Sequence, residues 1–562
     1  MVWRIRMVLA GVVLVSTFLL WRAFDIQVMN NEFLQSQGDA RHLRTVKMPA
    51  HRGNLLDRNG EPLAISTPVA SVWANPIDVK LQSAELKQLA KLLEKNVQDV
   101  RQSIQQKLNE GKSFVYLKRQ IDPTLAQQIK ALQIPGIGIQ REYRRYYPTA
   151  EVSAHVVGFT DVDDQGQEGM ELSLEQNLSG EPGQRRVIKD RIGRIIDTLA
   201  LQKSPMPGTN IRLSIDRRLQ YLAYKELKSA VQQHKAKSGS VVVLDVDTGE
   251  VLALVNQPSF NPNNRQKLKS DEYRNRAVTD VLEPGSTMKP FTIAAALSAK
   301  LYNPGTQINT TPGYYTLMGK TIRDFRNYGL IDVATIIQKS SNVGVSKMAL
   351  QMDRELLWNA YSDYGFGRAT NSDYPGEISG VLPFYSEWDA LEQATMSYGY
   401  GLSVTPLQLA QAYAMIAAGG VLRPVSFVAT VKAKDETRVL DKSVALQVGA
   451  MLELVTSNQG TAAAAQVKAY RVAGKTGTVH KPQAGGYAED RYIALFAGFA
   501  PASQPKLVCV VVINEPSGKD YYGGKVAAPV FSSIMQGGLR FVNAPPDGLI
   551  NSNVHMAKAG AG

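Results

Sequence analysis

Arg471-Val472-Ala473-Gly474-Lys475-Thr476-Gly477-Thr478, Tyr492-Ile493-Ala494-Leu495-Phe496-Ala497-Gly498-Phe499-Ala500 and Leu507-Val508-Cys509-Val510-Val511-Val512-Ile513-Asn514-Glu515 read as three successive strands. The second and third are almost unbroken apolar runs of strand length with prolines between them. Such runs mark strands covered on both faces. Working outward, Ser240 to Val246 and Glu250 to Val255 read as two more strands joined by the tight turn Asp247-Thr248-Gly249. Before them, Leu219, Leu222, Ala223, Leu227, Ala230 and Val231 share one helical face. Ala528 to Val542 reads as a closing helix, and a long, mainly helical insert separates the outer strands. The expectation is an α+β domain over residues 211–545. A five-stranded antiparallel sheet, built from both ends of that segment, would carry helices on its two faces.

The 562-residue chain is long enough for two or three folded units. Lys and Arg outnumber Asp and Glu by 63 to 50, a net charge of +13. No zinc spacing, aromatic RNA-binding motif or basic helix accompanies that excess, so nucleic acid is not an expected partner. The one cysteine, Cys509, excludes an intrachain disulfide. It lies inside the apolar run 507–513, where a buried, unreactive thiol is expected.

Met7 to Trp21 is uncharged and mostly apolar, with Arg4 and Arg6 before it. With Arg22 reaching outward the stretch extends to Phe24 and suffices for a membrane span. Trp21-Arg22-Ala23-Phe24 offers no small-residue cleavage site, which favours an uncleaved anchor over a signal peptide. The arginines before the span put the N-terminus in the cytoplasm and the remainder outside. The expected organisation is a cytoplasmic stub and anchor over 1–24 and an elongated mixed α/β module over 25–210. The 211–545 domain follows, and then a disordered tail over 546–562.

Within the module, Asp57-Arg58-Asn59-Gly60 is a strong tight-turn signal. The stretch Gly158 to Gly180 gathers Asp161, Asp163, Asp164 and Glu168, but their spacing does not fit a calcium loop and a polar turn is expected. Arg185 to Arg194 reads as a solvated basic hairpin.

Three motifs carry the chemistry: Ser286-Thr287-Met288-Lys289, Ser340-Ser341-Asn342 and Lys475-Thr476-Gly477-Thr478. A serine hydroxyl is a poor nucleophile until a base takes its proton. Pro284-Gly285 before Ser286 and Pro290 after it place the serine at a helix N-terminus, with Lys289 on the same face. Lysine serves as a base only when neutral. Burial, the helix N-terminus and a second cation such as Lys475 would each lower its pKa. Taken alone, Lys289 also fits an exposed helix lysine, and Ser340-Ser341-Asn342 also fits an ordinary N-cap of a helix over 343–352. In the functional reading Ser340 relays a proton to the leaving amine and Asn342 positions Lys289 and the substrate. Thr476 and Thr478 bond a substrate carboxylate, with Lys475 supplying charge, on a strand that Gly474 and Gly477 leave open to a ligand. The N–H groups of Ser286 and Thr478 form an oxyanion hole. A second match, Ser503-Gln504-Pro505-Lys506, falls between strands with proline inside it and reads as a plain loop.

The order of these motifs resembles the penicillin-binding proteins and serine β-lactamases, and the exported body resembles the class B penicillin-binding proteins. Arg52-Gly53 with Asp57-Arg58-Asn59-Gly60, Arg144-x-Tyr146-x-Pro148 and the Gly166 to Glu171 stretch are similar to the motifs of that class's non-catalytic (pedestal or dimerisation) module. Glu283-Pro284-Gly285-Ser286-Thr287, Tyr398 to Leu409 and Tyr522-Gly523-Gly524 are similar to the division-specific, septal transpeptidases. The resemblance implies an inner-membrane, single-pass enzyme with a periplasmic catalytic domain, and with no metal cluster or nucleotide motif in the sequence no cofactor is expected. It would cross-link peptidoglycan stem peptides through an acyl-serine on Ser286, with release of D-alanine, and be acylated by β-lactams. Lys289 would be the general base, Ser340 the relay and Asn342 a positioning group. Lys475 would supply charge, and Thr476, Gly477 and Thr478 would hold substrate. Implied partners are a septal glycosyltransferase and other division membrane proteins. A D,D-carboxypeptidase, or a catalytically weak β-lactam- or muropeptide-binding scaffold, is the alternative.

Overall fold

The computed structural model of the protein describes residues 2–31, 43–189, 195–266, 268–430, 435–483 and 485–548. The chain divides into two compact units. One comprises Met1–Gly53, Ser66–Arg144 and Ser179–Thr209; the other comprises Asn54–Ile65, Arg145–Leu178 and Asn210–Gly562.

The first unit begins with a helix over Val2–Phe24, continued by a wider turn over Asp25–Met29. The helix starts before the apolar run, taking in Arg4 and Arg6, and the span is long and apolar enough to cross a membrane. The strands Leu43–Met48, Gly183–Lys189 and Ile195–Lys203 form an antiparallel sheet with Gly183–Lys189 in the centre. The part of the basic hairpin between 190 and 194 lies outside the described residues. Elsewhere in this unit 70–74, the later part of the strand Pro62–Ala74, pairs antiparallel with Val115–Ile121. The helices Ala84–Leu92, Val97–Asn109 and Pro123–Ala131 accompany them. Ser83, Asn96 and Asp122 cap those helices through side-chain oxygens. Their apolar faces bury Leu86, Leu89, Ile104 and Ile129 against Val72 and Leu117.

The second unit carries the sheet expected from the sequence. Its strands are β1 (Ser238–Asp245), β2 (Val251–Gln257), β3 (Ala473–Gln483), β4 (Gly486–Ala500) and β5 (Leu507–Asn514). All neighbours run antiparallel in the order β2-β1-β5-β4-β3. The helices named below are α1 (Arg217–Gln233), α2 (Lys289–Ser298), α3 (Asn342–Ala349), α4 (Pro406–Ala417), α5 (Lys442–Thr456) and α6 (Ala528–Phe541). Alternation along the strands sends Val241, Val243, Cys509 and Val511 to one face, where they join Leu219 and Leu227 of α1 and Phe531 and Ile534 of α6. Val242, Leu244, Val508 and Val510 join Phe291 of α2, Leu409 and Tyr413 of α4 and Val448 of α5 on the other. Two covered faces are the reason the strands read as continuous apolar runs. Cys509 is fully buried, and burial pushes its thiol pKa up.

Segments that precede residue 211 in the chain also belong to this unit. Leu55–Leu56 pairs in parallel with Ile211–Arg212. The Asp57 carboxylate accepts from the N–H groups of Asn59 and Glu61, both at 2.8 Å, closing the turn that Gly60 completes at φ +91°. Arg145 donates to Glu171 at 2.6 Å, both side chains essentially without exposure. The acidic stretch after Gly158 is a polar turn: Asp161 accepts from the N–H of Asp163 and of Gln165. At the far end, Asp547 accepts from the N–H of Arg471 at 2.7 Å and from the Ser503 hydroxyl at 2.9 Å. The start of the expected tail is therefore held against the domain, and residues 549–562 lie outside the described part. Ser503, so engaged, is a loop serine, and Lys506 points to Asp247 at 2.8 Å.

Candidate active site

Ser286 sits in a single tight turn, Gly285–Met288, that runs directly into α2. Pro290 falls in the first turn of α2, where its missing N–H leaves no bond unmade. Three neighbours fix that turn. Gly285 has φ +54°, and its N–H donates to the carbonyl of Gly399 at 3.0 Å. The Thr287 hydroxyl donates to the carbonyl of Pro284 at 2.6 Å. The hydroxyl of Tyr413 on α4 donates to the carbonyl of Thr287 at 2.9 Å. Helix α4 itself starts in a capping box between Thr405 and Gln408.

Lys289, the first residue of α2, has no exposed surface. Its Nζ lies 3.0 Å from Ser286 Oγ, 2.7 Å from the carbonyl oxygen of Ser340, 3.0 Å from Ser340 Oγ and 2.7 Å from Asn342 Oδ1. The Ser340 carbonyl and Asn342 Oδ1 can only accept. A neutral amine satisfies both with its two N–H groups and keeps its lone pair for the Ser286 hydroxyl. Burial holds the Lys289 pKa well below its ordinary value; the charge of Lys475 lowers it further, and Asp324 pulls in the opposite direction.

Ser340 is the pivot. It closes the helix Val333–Lys339 in a left-handed conformation, φ +61°, where a non-glycine residue needs outside support. Its hydroxyl donates to Ser286 Oγ at 3.0 Å and lies 2.9 Å from the Nζ of Lys475. The N-cap expected at this motif is real but belongs to the middle residue: Ser341 accepts from the N–H of Gly344 at 2.9 Å. Helix α3 therefore starts at Asn342 and ends at Ala349, shorter than the 343–352 expected. Capping by Ser341 leaves Ser340 and Asn342 facing Lys289.

Lys475, on β3, is likewise fully buried, and burial pushes its pKa down to about 7. Beside it, Thr476 Oγ1 lies 3.0 Å from Thr461 Oγ1, and Thr478 Oγ1 accepts from the N–H of Gly523 at 3.0 Å. The glycines of this motif work differently from the sequence expectation. A Cβ on Gly474 would lie 2.5 Å from the Phe496 ring, so the space it leaves is filled by the neighbouring strand rather than by a ligand. A Cβ on Gly477 would lie 3.2 Å from the carbonyl of Pro284 and from Thr287 Cγ2. That glycine lets β3 approach the turn that carries Ser286.

The structure thus brings Ser286, Lys289, Ser340, Asn342 and Lys475 into one hydrogen-bonded cluster, with Thr476, Gly477 and Thr478 along the adjoining strand. Asp324, Gly399, Tyr413 and Gly523 were not singled out by sequence reasoning. Gly399 and Gly523 lie inside stretches that resemble the septal enzymes, whereas Asp324 carries no sequence signal at all. Among the described residues, no three His, Cys, Asp or Glu side chains are grouped as a metal site requires.

The family described as "Penicillin binding protein transpeptidase domain" matches residues 239–536, and "Penicillin-binding Protein dimerisation domain" matches 47–213. Over 552 residues, 97% of this chain and 93% of the relative, the protein is 44% identical to "Peptidoglycan D,D-transpeptidase FtsI" of Escherichia coli strain K12. It is also 44% identical, over 547 residues and the same shares, to "Probable peptidoglycan D,D-transpeptidase PenA" of Neisseria meningitidis serogroup A. Among solved structures it is similar to the transpeptidase domain of penicillin-binding protein 3 from Burkholderia pseudomallei, with 44% identity and a TM-score of 0.55. That match covers 60% of this chain and 97% of the other. A peptidoglycan synthetase from Bifidobacterium adolescentis aligns over 90% of this chain and 98% of its own, with 25% identity and a TM-score of 0.72.

Proposed function

The chain belongs to the class B penicillin-binding proteins and is a serine-type peptidoglycan D,D-transpeptidase, and from that premise we propose a role for each residue of the cluster. Neutral Lys289 takes the proton of Ser286 as Oγ attacks the carbonyl of the penultimate D-alanine of a stem peptide. The N–H groups of Ser286 and Thr478 hold the oxyanion. Lys475, with Thr476 and Thr478, receives the terminal carboxylate. Ser340, linked to both lysines, passes a proton to the departing D-alanine amine. The acyl-enzyme then meets an amine of a second stem peptide, the same groups act in reverse, and Ser286 regains its proton. A β-lactam acylates the same serine by ring opening.

The observation that carries this reading is the buried Lys289 amine 3.0 Å from Ser286 Oγ with its pKa lowered. Product analysis with two stem peptides tests it. Cross-linked dimers that disappear in Lys289→Met support the assignment. Trimmed peptides without any dimer would instead mark a carboxypeptidase.

We further propose an anchor over 1–24, a non-catalytic module over 25–210 and a catalytic domain over 211–545. Arg4 and Arg6 before the span favour a cytoplasmic N-terminus and an exported catalytic domain in the periplasm. Protease treatment of intact spheroplasts tests this, since protection of the catalytic domain would reverse the orientation. The anchor and module are proposed to dock the septal glycosyltransferase and other division membrane proteins. Unchanged partner recovery after deletion of residues 40–208 would sink that idea.

A further inference from the structure

We propose that Asp324 is a positioning residue of the transpeptidase site, holding the Ser340–Asn342 turn in the conformation that delivers the Ser340 hydroxyl and the Asn342 amide to Lys289. The proposal rests on the roles given above to Ser286 and Lys289.

Asp324 follows the two-stranded hairpin Tyr314–Leu317 and Lys320–Arg323, and its N–H donates to the carbonyl of Gly313 at 2.9 Å. Among the described residues, its carboxylate bonds fall on the last two residues of the motif and on Val343 after it. Oδ1 accepts from the N–H of Asn342 at 2.6 Å and of Val343 at 3.0 Å, and Oδ2 accepts from the Ser341 hydroxyl at 2.6 Å. Next to it, the carbonyl of Arg323 accepts from Asn342 Nδ2 at 3.1 Å. That bond decides which way the amide points: with Nδ2 on Arg323, Oδ1 faces Lys289.

Capping alone does not account for Asp324, because Ser341 already caps α3. The part that needs support is Ser340, a non-glycine residue in the left-handed region. Such a conformation persists only where its surroundings over-determine it. Asp324 grips the three residues that follow Ser340 and so sets where its hydroxyl lies. It also contributes charge. The groups facing the Lys289 amine are Ser286 from its own turn, neutral Ser340 and Asn342, the Lys475 cation from β3 and, one bond further out, Asp324. Asp324 is the one that raises the Lys289 pKa. It is itself neighboured by Tyr328, whose hydroxyl burial and Asp324 together push up, and by Arg326.

Position and charge separate experimentally in the full-length protein, using the acylation rate by a fluorescent penicillin across pH, with thermal melting alongside. Asp324→Asn keeps an oxygen for the two N–H groups and loses the charge. Its acid limb should move to lower pH, because Lys289 becomes easier to deprotonate, with less than about a tenfold fall at the plateau. Asp324→Glu keeps the charge and displaces the oxygens. Its rate should fall about 10²-fold with the acid limb in place. Both variants acylating like the parent at every pH, or losing rate only in proportion to lost folded protein, would overturn the proposal. Ser286→Ala is run beside them. An adduct surviving there would remove the underlying reading, whereas its loss together with unaffected Asp324 variants would sink this proposal alone.

Discussion

Lys289 and Lys475 converge on one oxygen: their Nζ atoms lie 3.0 and 2.9 Å from the hydroxyl of Ser340. That hydroxyl donates onward to Ser286. Two fully buried amines sharing one small acceptor disfavour each other's protonation. They therefore titrate as a pair, with the charge resting mainly on Lys475 and the lone pair on Lys289.

The pH dependence of acylation follows from that pairing. Lys289 must be neutral, so the rate rises with pH along the acid limb. Lys475, with a pKa of about 7, must be charged to receive a carboxylate, so carboxylate-bearing β-lactams lose rate above about pH 7. A β-lactam whose carboxylate is esterified should show the acid limb without the alkaline one. Stopped-flow acylation of the two compounds across pH checks this, and identical profiles would refute it.

Stability should respond in the opposite direction to activity. A lysine whose folded pKa is depressed favours the folded state fully only above its unfolded pKa. That contribution is lost as pH falls toward the folded pKa, here from about 10.5 to about 7. Lys475→Met removes the buried amine and its proton linkage. It should abolish acylation while stabilising the catalytic domain by on the order of 2 kcal/mol at pH 7. The gain should shrink toward pH 10 in urea titrations. A destabilised Lys475→Met variant at pH 7 would contradict this.

Gly399 is fixed by close approach. With φ +86°, a Cβ there would lie 2.2 Å from the carbonyl oxygen of Gly285. Gly399→Ala must displace the Gly285–Met288 turn. A shift of about 1 Å at reacting atoms is worth about 10² in rate. The expected result is that loss in the acylation rate constant with the fold retained by circular dichroism.

The Arg145–Glu171 pair lies away from the chemistry and tests packing. Both side chains are essentially unexposed. Glu171→Ala removes the carboxylate 2.6 Å from a buried guanidinium and should destabilise the unit by about 3 kcal/mol. Denaturation monitored by fluorescence reads that loss, and the fraction that remains folded should still be acylated at Ser286.

The sheet was legible because both faces of its strands are covered, so Leu507–Ile513 and Tyr492–Ala500 spell themselves as apolar runs. Its order was not. Nothing local to Leu507–Asn514 says that it lies between β1 and β4, because that pairing joins residues from opposite ends of the domain. The cluster was legible as three motifs, since the proposed nucleophile, base and relay each need a particular side chain. What sets their geometry was not. The left-handed Ser340 has no glycine to announce it, and Asp324 stands in an unremarkable turn whose partners appear only on folding. Gly474 was misread for a similar reason, its neighbour Phe496 being far away in sequence.

The central claim is that Lys289 activates Ser286. Intact-mass spectrometry of the protein incubated with a penicillin tests it most directly, comparing the parent with Ser286→Ala and Lys289→Met. The prediction is one stable adduct on the parent, none on Ser286→Ala, and formation slowed at least about 10³-fold in Lys289→Met. An adduct on Ser286→Ala, or parental acylation in Lys289→Met, would contradict it.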